Sequence, residues 1–360
     1  MSAPQKQQRF RNTVAPVMGI GLAMAAKELL ARARESDLSG QVVLITGGSR
    51  GLGLALAREL ATHGCRLAIC ARDRNGLDRA AADLRANGAD VLPIVCDVSV
   101  RSQVDSMIAE VLLHFGQIDA IYTAAAFIEV GEFESLTTED FERAMDVIFW
   151  GTFHSIMAVL PHMRHRGSGQ IVTISSIGGK IAVPHLLTYS TAKFAVTGFA
   201  QGLAAEMAGD GIKVTNIVPG LMRTGSHLNA QFKGDPEQQR GDYTWFALGA
   251  SSPFVPQVDR AARIVVRAVR RGDVERVFSA PFDLASRVAG IAPSTAIRLT
   301  TWANRMLPDS RGRTNPPQTS SGREIRERTS SSILNALTSL GDKAANETNQ
   351  NPEPTSTLRH

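Results

Sequence analysis

The sequence predicts an α/β fold built on a doubly wound parallel sheet, and three observations carry it. Apolar runs alternate with helical patterns from residue 40 to residue 280. Those runs are apolar at successive positions, as strands covered by helices on both faces must be. A glycine cluster stands directly after the first run, where such a sheet binds its ligand, at the carboxyl ends of the strands.

Residues 41–46 form the first strand, followed by a helix through residues 54–63. Residues 67–71 are a strand and residues 77–87 a helix; residues 91–97 are a strand and residues 101–115 a helix. The strand over residues 118–124 leads into a longer helix over residues 141–164. The strand over residues 170–175 is followed by a helix from Tyr189 to Met207, and then comes a strand over residues 214–218. After a loop-rich insert over residues 221–256, a helix over residues 260–271 and a strand over residues 276–279 close the pattern. There is no internal repeat.

The main domain is therefore expected over residues 40–285, followed by a helical extension over residues 286–307. Residues 308–360 are rich in Ser, Thr, Asn, Pro and charge and poor in aromatics, a composition that predicts a mostly disordered tail. Residues 1–39 begin basic, with Lys6, Arg9 and Arg11, and then carry an apolar run over residues 14–26. Thirteen helical residues span about 20 Å, short of a bilayer's hydrocarbon layer of roughly 30 Å. Ala23-Met24-Ala25 offers a small-residue site of the signal-peptide kind, but Gly19 and Gly21 interrupt the stretch before it. An amphipathic helical extension fits better, packed on the domain or in peripheral contact with a membrane.

Composition excludes several classes. Hydrophobic residues make up 43% and charged residues 20%, as in ordinary globular chains. The net charge of +5 is mild, and no segment interleaves dense Lys and Arg with aromatics, so nucleic acid is not an expected partner. Three cysteines (Cys65, Cys70, Cys96) form no CxxC pair, and His162 and His165 have no companion ligands at metal-site spacing. Neither disulfides nor a metal are expected, and a reducing, cytoplasmic setting fits.

The turn after the first strand reads Thr46-Gly47-Gly48-Ser49-Arg50-Gly51-Leu52-Gly53. Glycines at 47, 51 and 53 let the backbone bend sharply and approach a pyrophosphate, and the following helix offers its N-terminal N–H groups. The spacing TGxxxGxG resembles that of the short-chain dehydrogenase/reductase family, whose Rossmann-like fold binds a nicotinamide dinucleotide. The second strand ends Cys70-Ala71-Arg72, without the acid that favours NAD, and Arg50 lies in the turn. Two arginines suit a 2′-phosphate, so NADP(H) is the expected cofactor; Asp73 leaves room for some NADH use. Asp97-Val98 matches the family position that contacts adenine.

Tyr189-Ser190-Thr191-Ala192-Lys193 places a phenol and an ammonium four residues apart, on one helical face. A free tyrosine titrates near 10. A cation about 4 Å away is worth about 4 kcal/mol at an effective dielectric of 20, enough to move that value by about 3 units. Tyr189 is thus the expected proton donor and acceptor, with Lys193 lowering its pKa. In the family's pattern Ser176, thirteen residues before Tyr189, hydrogen-bonds the substrate oxygen, and Ser175 is the second choice. Pro219-Gly220-Leu221-Met222-Arg223-Thr224 resembles the family's Pro-Gly turn, whose backbone and Thr contact the nicotinamide carboxamide.

Two departures stand out. Thr123-Ala124-Ala125-Ala126 replaces the family's Asn-Asn-Ala-Gly, leaving Thr123 as the one polar side chain. The family's catalytic Asn, three before a glycine, falls on Ile148. An isoleucine holds no water for proton resupply. Two readings stay open: a reductase slowed at proton resupply, or a chain that binds NADPH without turnover. The first is preferred because Ser176, Tyr189 and Lys193 remain. The expected substrate is an apolar carbonyl or alcohol. Tyr243, Trp245, Phe246, Leu248 and Phe254 in the insert would form a lid over it, or else pack on a partner subunit or on the N-terminal helix. His185 either faces substrate or shapes its loop. Relatives of this family commonly form homo-oligomers.

Overall fold

The computed structural model describes residues 35–278, 280–308, 317–329 and 332–351. Seven parallel strands form the main sheet: β1 (Val42–Thr46), β2 (Arg66–Ala71), β3 (Val91–Val95), β4 (Ala120–Thr123), β6 (Gly169–Ile174), β7 (Ile212–Val218) and β9 (Glu275–Val277). Their order across the sheet is β3-β2-β1-β4-β6-β7-β9. Each of the seven strands read from the sequence is present. The order reverses between β1 and β4, and a crevice opens where connections leave such a switch point in opposite directions.

Alternation along β1 explains both layers of helices. Val43 and Ile45 face one core with Leu67 and Ile69 of β2. That side is covered by α1 (Gly51–Thr62), α2 (Arg74–Ala86) and α8 (Val258–Arg271). Val42 and Leu44 face the other, under α3 (Arg101–Phe115), α5 (Gly151–Arg166) and α6 (Leu187–Met207). Both faces are dry, so the strands need no polar alternation.

The predicted helix over residues 141–164 is divided. α4 (Thr138–Met145) passes through a π-helical turn at Asp146–Trp150 into α5. The widened turn falls where Val98 presses on Gly151, whose Cβ, if present, would lie 2.6 Å from the valine methyl. The stretch Thr138–Arg166 has the length and apolar content of a membrane span, but Ile156, Val159, Leu160 and Met163 bury its inner face in the core. At α2, Asp73 accepts from the Gly76 N–H and starts the helix three residues earlier than its apolar pattern indicated.

The insert over residues 221–256 is more regular than the sequence suggested. It holds β8 (Gln231–Gly234) and α7 (Pro236–Ser251), where Asp235 caps the helix by accepting from the N–H groups of Glu237 and Gln238. β8 pairs with β5 (Glu129–Val130) and with β10 (Gln318–Ser321), making a three-stranded sheet that caps the main one. Helices α9 (Ala280–Ile291) and α10 (Pro293–Asn304) precede β10.

Part of the tail expected to be disordered also has regular structure: β10, α11 (Gly322–Thr329) and α12 (Ser332–Glu347). Its polar composition hid a few buried anchors, Ile325, Ala344 and Ala345, that dock it on the cap. Residues 1–34, with their apolar run, lie outside the described residues. All three cysteines are buried and unpaired.

Candidate active site

A cleft of about 640 Å³ runs along the carboxyl ends of the strands, across the switch point. Gly47, Ser49, Arg50, Gly51, Leu52 and Gly53 line its floor. Two of these positions require glycine. Gly47 has a φ of +70°, and a Cβ there would meet the Ala125 backbone at 2.8 Å. A Cβ on Gly53 would sit 2.1 Å from the Gly47 carbonyl. The turn is therefore packed backbone to backbone, which sets the N-terminal end of α1, the kind of site that binds an anionic group, at the floor of the cleft. Thr46 does not reach the cleft; buried beneath it, its Oγ1 accepts from the Ala125 N–H at 3.4 Å. Thr123 is buried too, with its hydroxyl 3.5 Å from the Val172 carbonyl.

At one end of the cleft lie Arg72, Asp97 and Val98. Arg72 Nη1 is 3.7 Å from Asp97 Oδ2, and Asp97 Oδ1 accepts from the N–H and hydroxyl of Ser99. Arg50 lines the same cleft, close enough to the Asp73 carboxylate and the Arg72 guanidinium to feel both charges. Asp73 also lines the cleft, and its Oδ2 accepts from the Gly76 N–H at the start of α2.

At the other end Tyr189 and Lys193 line the wall, on the first two turns of α6. Lys193 Nζ lies 5.6 Å from the centroid of the Tyr189 ring and donates to the Ile174 carbonyl at 2.6 Å. Burial brings the Lys193 ammonium down to about 7. Burial also raises the Tyr189 phenol above its ordinary value, and its hydrogen bond with Ser176 pulls part of that back. The sequence argument expected a lowered phenol. Here desolvation outweighs the cation, which is itself desolvated and turned to a backbone carbonyl.

Ser176 sits at the end of β6, below the phenol and off the cleft wall, with its Oγ accepting from the Gly178 N–H at 3.1 Å. Ser175 lines the cleft but its hydroxyl is committed, donating to the Lys193 carbonyl at 3.0 Å and lying 2.6 Å from Thr197 Oγ1. Pro219 and Thr224 line the cleft. Gly220 does not: the Phe282 ring covers it so closely that a Cβ would come within 2.3 Å.

Ile148 is fully buried in the π-helical turn, in one apolar cluster with Ala144, Ala192 and Val196 and against Tyr189. It seals that side of α6 with hydrocarbon.

The aromatic insert is not a lid. Tyr243 and Phe246 point into the cap, where they form a core with Phe232, Val130 and Ile325; Phe254 is exposed. The cap needs its own apolar interior, and these side chains supply it. His185 is buried with its Nδ1 2.7 Å from Asp242 Oδ1, fastening the loop before α6 to the cap. Phe127, Ile128, Val147, Met222 and Ala230 give the cleft an apolar lining, and Gln350 lines it as well. Sequence reasoning missed Gln350, since nothing near it in the chain signals a site.

The model of the short chain dehydrogenase family matches residues 41–233, more than half of the chain. The chain belongs to the short-chain dehydrogenase/reductase family. It is 35% identical over 260 residues to the Drosophila melanogaster dehydrogenase/reductase SDR family protein 7-like, covering 71% of this chain and 76% of that one. Levodione reductase superposes with a TM-score of 0.60 at 29% identity, over 69% of this chain and 99% of that one. A Burkholderia phymatum relative crystallised with NAD shares the fold, at a TM-score of 0.65 and 21% identity, over 72% of this chain and 96% of that one. This chain is thus an oxidoreductase of the type that uses a nicotinamide dinucleotide.

Proposed function

We propose that this oxidoreductase is an NADPH-dependent reductase that interconverts an apolar ketone or aldehyde and its alcohol. One observation carries the proposal: Tyr189 and Lys193 line the same cleft as the glycine turn, Arg50 and Arg72. The residues fit the dinucleotide. The glycine turn gives a backbone cradle for the pyrophosphate, and Arg50 and Arg72, lining the same cleft, would hold a 2′-phosphate, with Arg72 giving up its contact to Asp97.

When bound, the dinucleotide supplies or accepts the hydride. Tyr189 supplies the proton for the substrate oxygen. Burial keeps the phenol in its protonated form, the form from which it can donate. The Ser176 hydroxyl, hydrogen-bonded to the phenol, steadies the oxygen as negative charge develops on it. Lys193, held by the Ile174 carbonyl, stands ready to bind the nicotinamide ribose and to resupply the proton. Phe127, Ile128, Val147 and Met222 give the carbonyl compound an apolar wall. The buried, unpaired cysteines suit a cytoplasmic setting.

Ile148 favours a second reading, a chain that binds NADPH without turnover, because its hydrocarbon blocks a water at that point of the Lys193 helix. Turnover separates the two. With a panel of apolar aldehydes and ketones, Tyr189→Phe should lower NADPH oxidation by about 10²–10⁴-fold while NADPH binding survives. Equal oxidation by both proteins overturns the assignment of Tyr189, and no oxidation by either selects the binding reading. Arg72→Asp should weaken NADPH far more than NADH; equal losses overturn the choice of cofactor.

A further inference from the structure

The end of the tail lies on the glycine turn. The Thr348 carbonyl accepts from the Gly51 N–H at 2.9 Å, at the start of α1. Asn349 Nδ2 donates to the Ser49 and Gly76 carbonyls, both at 2.8 Å, and Asn349 Oδ1 accepts from Arg79 Nε at 2.9 Å. On the opposite bank, the Thr348 hydroxyl donates to the Thr224 carbonyl at 2.9 Å. There too, Asn229 Nδ2 donates to Gln350 Oε1 at 2.7 Å. Three consecutive residues therefore bridge the cleft from the pyrophosphate turn to the loop after β7.

The docking is built, not incidental. Thr348 and Gln350 are buried. Asn349 adopts a left-handed φ of 56°, a conformation that asparagine tolerates better than most residues. Behind it, Gly225 lacks a Cβ where one would strike Ala345 at 2.3–2.4 Å, so the two backbones meet closely.

The first N–H groups of a helix are the donors that a phosphate seeks. Here a neutral carbonyl of the same chain takes the Gly51 N–H. We infer that residues 348–350 are an internal occupant of the diphosphate site, displaced when a dinucleotide binds. The inference rests on the reading of this cleft as the dinucleotide site, but not on a preference for NADPH over NADH. Charge-assisted bonds to phosphate are about twice as strong as bonds to a neutral carbonyl, so saturating cofactor displaces the tip. At low concentration the tethered tip holds the site.

Asn349→Gly in the full chain tests this, because glycine keeps the left-handed turn and removes three side-chain hydrogen bonds. NADPH and NADH should both bind that variant about tenfold more tightly, with faster association. That is the factor expected when a closed form filling about nine tenths of the population is relieved. In the wild type, saturating NADP⁺ should speed amide hydrogen exchange over residues 348–351, since displacement and binding are reciprocal. Unchanged or weaker binding by the variant, or greater protection of residues 348–351 with NADP⁺, overturns the inference. If neither protein binds any nicotinamide dinucleotide, the reading of the cleft itself fails, and this inference with it.

Discussion

The main sheet and the cap are held together on different principles. In the sheet, the central strands bury apolar side chains on both faces under helices that follow them in the chain. The cap gathers residues 129–130, 231–251, and 318–329 with 332–350 from three distant parts of the chain. Its interior joins Phe232, Tyr243 and Phe246 to a charged cluster in which Asp140 meets both Lys233 and Arg143, and Glu129 meets Arg143. Periodic burial specifies the first region; pairing between remote polar groups specifies the second. Burial is written in local patterns and remote pairing is not.

The largest expected effect sets the two regions against each other. Phe232→Ala should remove about 3–5 kcal/mol from the cap, and Leu44→Ala about 2–5 kcal/mol from the sheet. Urea unfolding of the first variant should then split, with tryptophan fluorescence from Trp245 changing before far-ultraviolet ellipticity. A single coincident transition would mean that the cap and sheet form one cooperative unit.

A smaller effect lies within the sheet's own site. Lys193 is brought to about 7 in the fold against 10.5 ordinarily. Between those values the unfolded chain binds the proton that the folded chain lacks, so this group's contribution to stability rises as pH rises. Its gain should be about 1–2 kcal/mol from pH 7 to pH 8.5. Urea melts of wild type and Lys193→Met at the two pH values measure it. An equal pH dependence in both proteins would show that Lys193 keeps its ordinary affinity for protons.

The smallest effect is Ile148→Asn. An amide in that turn should raise the rate of NADPH oxidation several-fold if proton resupply limits it, at about 1–3 kcal/mol of stability for a buried polar group. A folded variant that is no faster counts against proton resupply as the slow step.

The seven strands were legible because apolar runs two faces deep have no other use in a chain of this composition. The glycine turn, the two arginines and the Tyr189–Lys193 spacing were legible because short-range geometry fixes them. Other features had no such local signature. Tyr243 and Phe246 looked like a lid because aromatic side chains in a long connection suit a cleft mouth as well as a core, and only the third strand β10 decides between them. Gln350 and its neighbours are polar residues in a polar tail, some 300 positions from the turn they touch. The direction of the Tyr189 shift was missed because spacing reports the nearby cation and not the burial of both groups.

The described chain enters the sheet at the edge away from the cleft. Glu35 pairs with Arg270 and Arg271, and the Ser36 N–H donates to the Arg270 carbonyl, at the end of α8 and the amino edge of the strands. The cleft opens at the opposite edge. The anchor at Glu35 and Ser36 and the cleft therefore sit at opposite edges of one sheet, so a change at either edge is separated from the other by the full length of the strands.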